Sequence, residues 1–153
     1  MSASIDRIRE YIEDYDGDEF IVIEPGTPPD EAALEQIEAA FPFSLPAAYR
    51  EYLLAFGALD IGGLEFVGAA ESNYRNVVSV RDELSAAHGL PDQLIPLLNE
   101  EGDSFLCIRS DGQLARWHPA RADVDVLDES LGEHLLRLCE ELIEDEGEDE
   151  DED

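Results

Sequence analysis

Apolar residues come back along this chain with two different periods, and most of the predicted architecture follows from where the period changes. Ile5, Ile8, Ile12 and Tyr15 recur at i, i+3, i+7 and i+10, which predicts a helix over residues 4–15 with Ser4 as its cap. "DGDEFIVIEPG" predicts a turn and then a short strand from Phe20 to Glu24. In "TPPDEAALEQIEAAF" Thr27 is the expected N-cap, Pro28 the first helical residue and Asp30 the partner in a capping-box spacing. The buried face of that helix is Ala33, Leu34, Ile37 and Phe41. A further helix starts at Pro46, carries Tyr49, Tyr52, Leu53 and Phe56 on one stripe, and ends at Gly57 in a left-handed cap. "DIGG" then reads as a turn, "LEFVG" as a strand closed by Gly68, and residues 69–76 as a loop.

"VVSVRDELSAAHGL" is ambiguous: it begins like a strand and ends like a short helix stopped by Gly89 and Pro91. Beyond it the period shortens. "LIPLLNE", "SFLCIRS" and "QLARWHP" are strand candidates, and Asp111-Gly112 between the last two is a hairpin signal for a tight primed turn. "DVDVLD" adds a fourth strand, with Val124 and Val126 expected to alternate inward. "SLGEHLLRLCEELIE" is a helix opened by a Ser130–Glu133 capping box, with Leu131, Leu135, Leu138 and Leu142 on one face. No regular βαβ alternation and no internal repeat is present. The prediction is an α+β domain over residues 1–143, a central antiparallel or mixed sheet packed against helices, followed by a disordered acidic tail, 144–153.

Composition changes the picture through charge. The chain of 153 residues has 39 acids against nine basic residues, a net −30, and all nine are arginine. Nine of the acids fall in the last ten residues, so the remainder still holds 30 acids against nine arginines. Such a surface repels nucleic acid and anionic membrane and attracts basic proteins and cations. Adaptation to a saline cytoplasm would give the same excess of acid. No apolar run approaches the ~20 residues of a membrane span, and no signal-peptide core is visible, so a cytoplasmic location is expected. Cys107 and Cys139 lack CxxC spacing and read as reduced structural thiols.

Candidate chemistry is sparse. Gly57, Gly62, Gly63 and Gly68 fit no phosphate-binding pattern and follow a helix rather than a strand. Asp14, Asp16 and Asp18 have calcium-loop spacing, but Glu19 and Pro25 stand where that loop needs Gly and Glu. His88, His118 and His134 make no metal-ligand spacing, and the sequence leaves open a dyad of Cys107 with His118 or His134. With so many carboxylates, an acid–base pair carries no information. No catalytic residue, metal or cofactor is assigned. Trp117 is either core or the anchor of a partner interface, a role in which Trp and Tyr are over-represented.

"FPFSLPAAYREYLLAFGALDIGGLEFVG" resembles the signature of the SUKH superfamily, the Smi/Knr type. The resemblance rests on "PDEAALEQIEAAF", Leu45-Pro46, the aromatic helix Tyr49 to Phe56, Gly57 with Gly62-Gly63, and "LEFVG". In the second half, Gly102-Asp103, Gly112 and Trp117 occupy the family's places, so the likeness covers residues 27–143. Gly57-Ala58 departs from the Asn-Gly-Gly turn of many members, and the acidic tail lies outside the pattern. The resemblance implies a protein-binding domain rather than an enzyme. Many bacterial members are immunity proteins that neutralise polymorphic toxins, often nucleases or deaminases, and fungal relatives are regulators. The expectation is therefore an immunity protein that occludes a basic cognate toxin; the alternative is a SUKH-type adaptor in a saline cytoplasm. A hydrolase with a site not legible in the motifs is a third. The residues expected to meet a partner, from turns and strand ends, are Glu65, Tyr74, Asn76, Glu100, Glu101, Asp103 and Trp117.

Overall fold

The computed structural model describes residues 3–70, 75–100 and 103–151. Five helices, α1 (Ala3–Asp14), α2 (Glu31–Ala39), α3 (Ala47–Phe56), α4 (Val77–His88) and α5 (Leu131–Asp151), pack with two antiparallel sheets. The first sheet has the order β1 (Ile23–Pro25), β2 (Leu59–Ile61), β3 (Leu64–Phe66); the second has the order β4 (Leu94–Glu100), β5 (Ser104–Arg109), β6 (Leu114–His118), β7 (Asp123–Val126). The α+β class predicted from the pattern holds, with the strands divided between two sheets. The Val67 amide, which donates to Leu97 O at 2.8 Å, ties one sheet to the other.

The helix stripes are buried as their spacing predicts. Tyr49, Tyr52, Leu53 and Phe56 of α3 lie in the main core with Ile5 and Ile8 of α1 and Leu131, Leu135 and Cys139 of α5. The Ser130–Glu133 capping box closes reciprocally: Glu133 N donates to Ser130 Oγ at 3.2 Å, and Ser130 N to Glu133 Oε1 at 3.3 Å. Ile143 is the last residue of α5 that packs on the core. The helix runs on from there to Asp151.

Several boundaries differ from the pattern, each for a local reason. Ser4 lies inside α1 rather than capping it. The first strand begins at Ile23, not Phe20, because the Asp18 carboxylate accepts from the amides of Phe20 and Ile21, both at 2.8 Å, and holds them in a turn. These two bonds also keep the Asp18 carboxyl below its ordinary range. Helix α2 is capped by Asp30, which accepts from Ala33 N, and not by Thr27; Thr27 and Pro28 each precede a proline, which biases them away from helical backbone. The ambiguous segment is a helix. Asn76 caps it by accepting from Val78 N and Ser79 N, and Gly89 ends it in the left-handed region at φ +70°.

Three turns are sharper than expected. Gly57 ends α3 at φ +73°, ψ −58°, and Ala58 N donates to Phe56 O at 2.8 Å, so the stop is a γ-turn rather than a left-handed cap. Asp60 and Ile61 belong to β2, and the turn that follows is Gly62-Gly63 alone, both at positive φ. The loop between β5 and β6 is Ser110–Gly112, with Arg109 N bonded to Gln113 O; only its glycine has positive φ, so it is a three-residue loop and not the two-residue primed turn.

The second sheet has two differently used faces. Leu98, Leu106, Ile108 and Leu114 join the main core, while Leu94, Cys107, Ala115 and Trp117 meet Leu84 and Leu90 in a smaller cluster with α4. Val124 and Val126, expected to point inward, are 40% and 46% exposed. They share the α4-side face with Trp117 and Ala115, their register partners, but belong to the edge strand and extend past that cluster.

Two buried tyrosines make opposite predictions. The Tyr52 hydroxyl donates to Val67 O at 3.0 Å, whereas the Tyr49 hydroxyl has no hydrogen-bond partner among the described residues. Removing a bonded buried hydroxyl leaves an acceptor unsatisfied, and removing an unbonded one relieves a desolvated group. Tyr52→Phe is expected to lower unfolding free energy by about 1–2 kcal/mol, and Tyr49→Phe to leave it unchanged or raise it by about 1 kcal/mol. Urea unfolding of the two variants checks the contrast.

Candidate protein-interaction groove

Between the two sheets the chain leaves a groove of about 560 Å³. One wall is the β2–β3 hairpin with Leu64, Glu65 and Val67; the other is α4 with Val80, Glu83, Leu84 and His88; the floor is Pro96 to Leu98 of β4 with Phe105 of β5. Each wall is positioned by a local device. Gly62-Gly63 turns the hairpin, with Asp60 accepting from Gly63 N at 2.8 Å. Tyr52 fixes the backbone at Phe66 and Val67, and Asn76 starts α4 while its side-chain amide donates to Ala70 O at 2.9 Å. Arg81 lashes the helix back to α2 by donating to Ala40 O at 3.0 Å, its guanidinium 4.7 Å from the centre of the Phe41 ring.

The floor is apolar and the rim is acidic. Glu65 and Glu83 are exposed on opposite walls, Leu64 is 40% exposed beside Glu65, and no arginine lines the groove. Both β3 and β4 end their sheets, so the groove runs between two edge strands. Such a site has the chemistry to take an apolar side chain carried by a basic segment. Among the described residues that line it, no nucleophile is paired with a base.

Beyond the end of β4 lies an ion-pair network. Arg116 binds Glu100 through two bonds, Nε to Oε1 at 2.7 Å and Nη2 to Oε2 at 2.9 Å. Burial acts to raise the Glu100 carboxyl, but Arg116 outweighs it and holds the group below its ordinary range. On α5, Arg137 bonds both oxygens of Glu129, and the buried His134 ring meets Glu129 at 2.6 Å. Hydrogen bonds from Arg137, and then from His134, bring the Glu129 carboxyl down to about 2. The network clamps α5 to its own approach and β4 to β6. His118 meets Asp125 at 3.0 Å, so both histidines of the conceivable Cys107 dyad are engaged by carboxylates. Cys107 itself packs among Ala115 and Trp117, and burial pushes its thiol well up; burial raises the Cys139 thiol to about 12.

The residues expected to meet a partner divide accordingly. Glu65 lines the groove, and Asp103 is exposed between β4 and β5. Asn76 is a helix cap and Glu100 is held by Arg116, both half-buried, while Trp117 is 2% exposed under α4. Tyr74 and Glu101 lie outside the described residues. Sequence reasoning did not expect Glu83, His88 or Leu64 to meet a partner. For Glu83 and His88 the signal is the helical spacing that sets them with Val80 and Leu84 on one side of α4, legible once the segment is known to be a helix.

Among the described residues no helix is long and apolar enough to cross a membrane. No curated protein matches this sequence. A crystal structure of a protein from Pseudomonas syringae pv. tomato is similar, with a TM-score of 0.59 and 26% identity, covering 82% of this chain and 92% of that one. The family described as SMI1-KNR4 cell-wall, SUKH_5, matches residues 2–140, taking in α1 as well as the segments that carry the sequence signature. The chain belongs to the SMI1-KNR4 (SUKH) family.

Proposed function

We propose that this protein is an immunity protein of a bacterial polymorphic toxin system, which binds a basic cognate toxin domain and occludes its active site. The observation that supports this most is the groove: an apolar floor with Glu65 and Glu83 on facing walls, in a molecule of net charge −30. The family includes toxin immunity proteins, and a toxin acting on nucleic acid, a nuclease or deaminase, carries the basic cleft that such a surface complements. Long-range attraction steers the encounter, and apolar contacts in the groove set how slowly the complex separates. The protein contributes no chemistry in this reading and works by steric block from the cytoplasm.

Co-expression with the product of a neighbouring gene that encodes a toxin is the decisive experiment: the pair is expected to co-purify and the toxin to lose its lethality. Glu65→Lys with Glu83→Lys is expected to slow association about tenfold at low salt while the fold is kept, since both side chains are exposed. A neighbouring toxin that kills in the presence of this protein, with no complex recovered, overturns the proposal in favour of an adaptor role.

A further inference from the structure

Strand β7 ends the four-stranded sheet, and all four of its residues are exposed. Natural edges are blunted by short length, charged side chains, proline or a bulge. The edge at Asp123–Val126 is four residues long and guarded by the charge of two aspartates alone, without proline or bulge, and pairs with β6 in unbroken register. Its sequence is two-faced. Val124 and Val126 lie beside Trp117 and Ala115 on the α4 side, and Asp123 and Asp125 lie beside His118 and Arg116 on the other. Next to the valines a cleft of about 500 Å³ opens over Leu94, bounded by Pro91 and Arg109. His118 and Arg121 reach the two aspartates at 3.0 and 3.8 Å, yet the Asp125 and Asp123 side chains stay 65% and 58% exposed.

A second copy of the chain fits this edge badly. Antiparallel pairing about a two-fold axis perpendicular to the sheet keeps each residue's side chain on its own face. The registers that pair most of β7 with its copy therefore set aspartate directly opposite aspartate, Asp123 against Asp125 or Asp125 against its own copy, which is destabilising. A strand with basic residues in those places turns the same contacts favourable. We propose that β7 is a docking edge for an extended segment of a partner protein in which basic and apolar residues alternate. The segment adds a fifth strand to the sheet: its basic residues face Asp123 and Asp125, and its apolar residues cover Val124 and Val126 toward the cleft. This surface lies on a different edge from the groove and stands whether or not the partner is a toxin.

The test uses the full chain and a short synthetic peptide alternating lysine and valine. A second peptide of the same sequence is N-methylated at alternate amides, which keeps its charge and removes the donors that pair with a strand edge. The unmodified peptide is expected to bind at least tenfold more tightly, to shift amide resonances of β7, and to slow hydrogen exchange there. Asp123→Lys with Asp125→Lys is expected to weaken it at least tenfold, with the variant's circular dichroism unchanged. Glu65→Lys with Glu83→Lys is expected to leave it within twofold. Equal binding of the two peptides, shifts confined to the groove, or absence of binding overturns the proposal. So does a free protein that is dimeric through β7.

Discussion

Gly57→Ala is expected to lower the unfolding free energy by roughly 4 kcal/mol, and the midpoint of thermal unfolding by about 10 °C. Two costs combine there. Gly57 sits at φ +73°, which an L side chain adopts with strain, and an added Cβ would lie 2.2 Å from Thr27 O and 2.6 Å from Thr27 C. Backbone cannot swing aside as the end of a long side chain can. The crossing is tighter still because Gly57 O accepts from Ala69 N at 2.8 Å, and a Cβ on Gly68 would meet that same oxygen at 1.9 Å. Gly63→Ala separates the two costs: its φ is +93° and nothing lies within 4 Å of its added Cβ, so it carries the strain alone, about 1–3 kcal/mol. Urea unfolding of both variants is the measurement. Equal losses would show that the crossing relaxes around the methyl group.

Trp117→Ala is expected to cost about 3–5 kcal/mol, the range for truncating a fully buried aromatic side chain. The ring is 2% exposed, packs 5.7 Å from the Phe105 ring, and supports Leu84 and Leu90. Had this residue been an exposed partner anchor, truncation would change stability by less than about 0.5 kcal/mol. Thermal unfolding without any partner therefore decides between the two roles. A further effect follows from position. Trp117 lies under α4, and α4 is one wall of the groove, so the variant should also lose partner affinity indirectly. Trp117→Phe, which keeps most of the ring, is expected to recover a large part of both.

How legible these features were depends on how local their causes are. The aromatic stripe of α3 and the capping box of α5 are set within a few residues, and both stand as the spacing predicts. Val124 and Val126 alternate as a strand should, but which face is covered depends on where α4 ends over the sheet. No property of "DVDV" encodes that. The β-branched run Val77, Val78, Val80 reads as strand until Asn76 caps it and Gly89 stops it. The γ-turn at Gly57 is dictated by the nearness of Thr27, thirty residues upstream in the chain. The groove is the extreme case. Its walls come from β3, α4 and β4, and only Glu65 among its residues was expected to meet a partner, as an acid at a strand end.

Helix α1 rests on α5, where Tyr11 donates to Glu140 at 3.4 Å across 129 residues of sequence. On the ribosome this contact has a timetable. At about 5–20 residues per second, Ile5 and Ile8 wait on the order of 10 s before the helix that helps cover them has been made. The nascent chain thus carries an unfinished core until α5 has been made. At a net charge of −30 such chains repel one another during that interval.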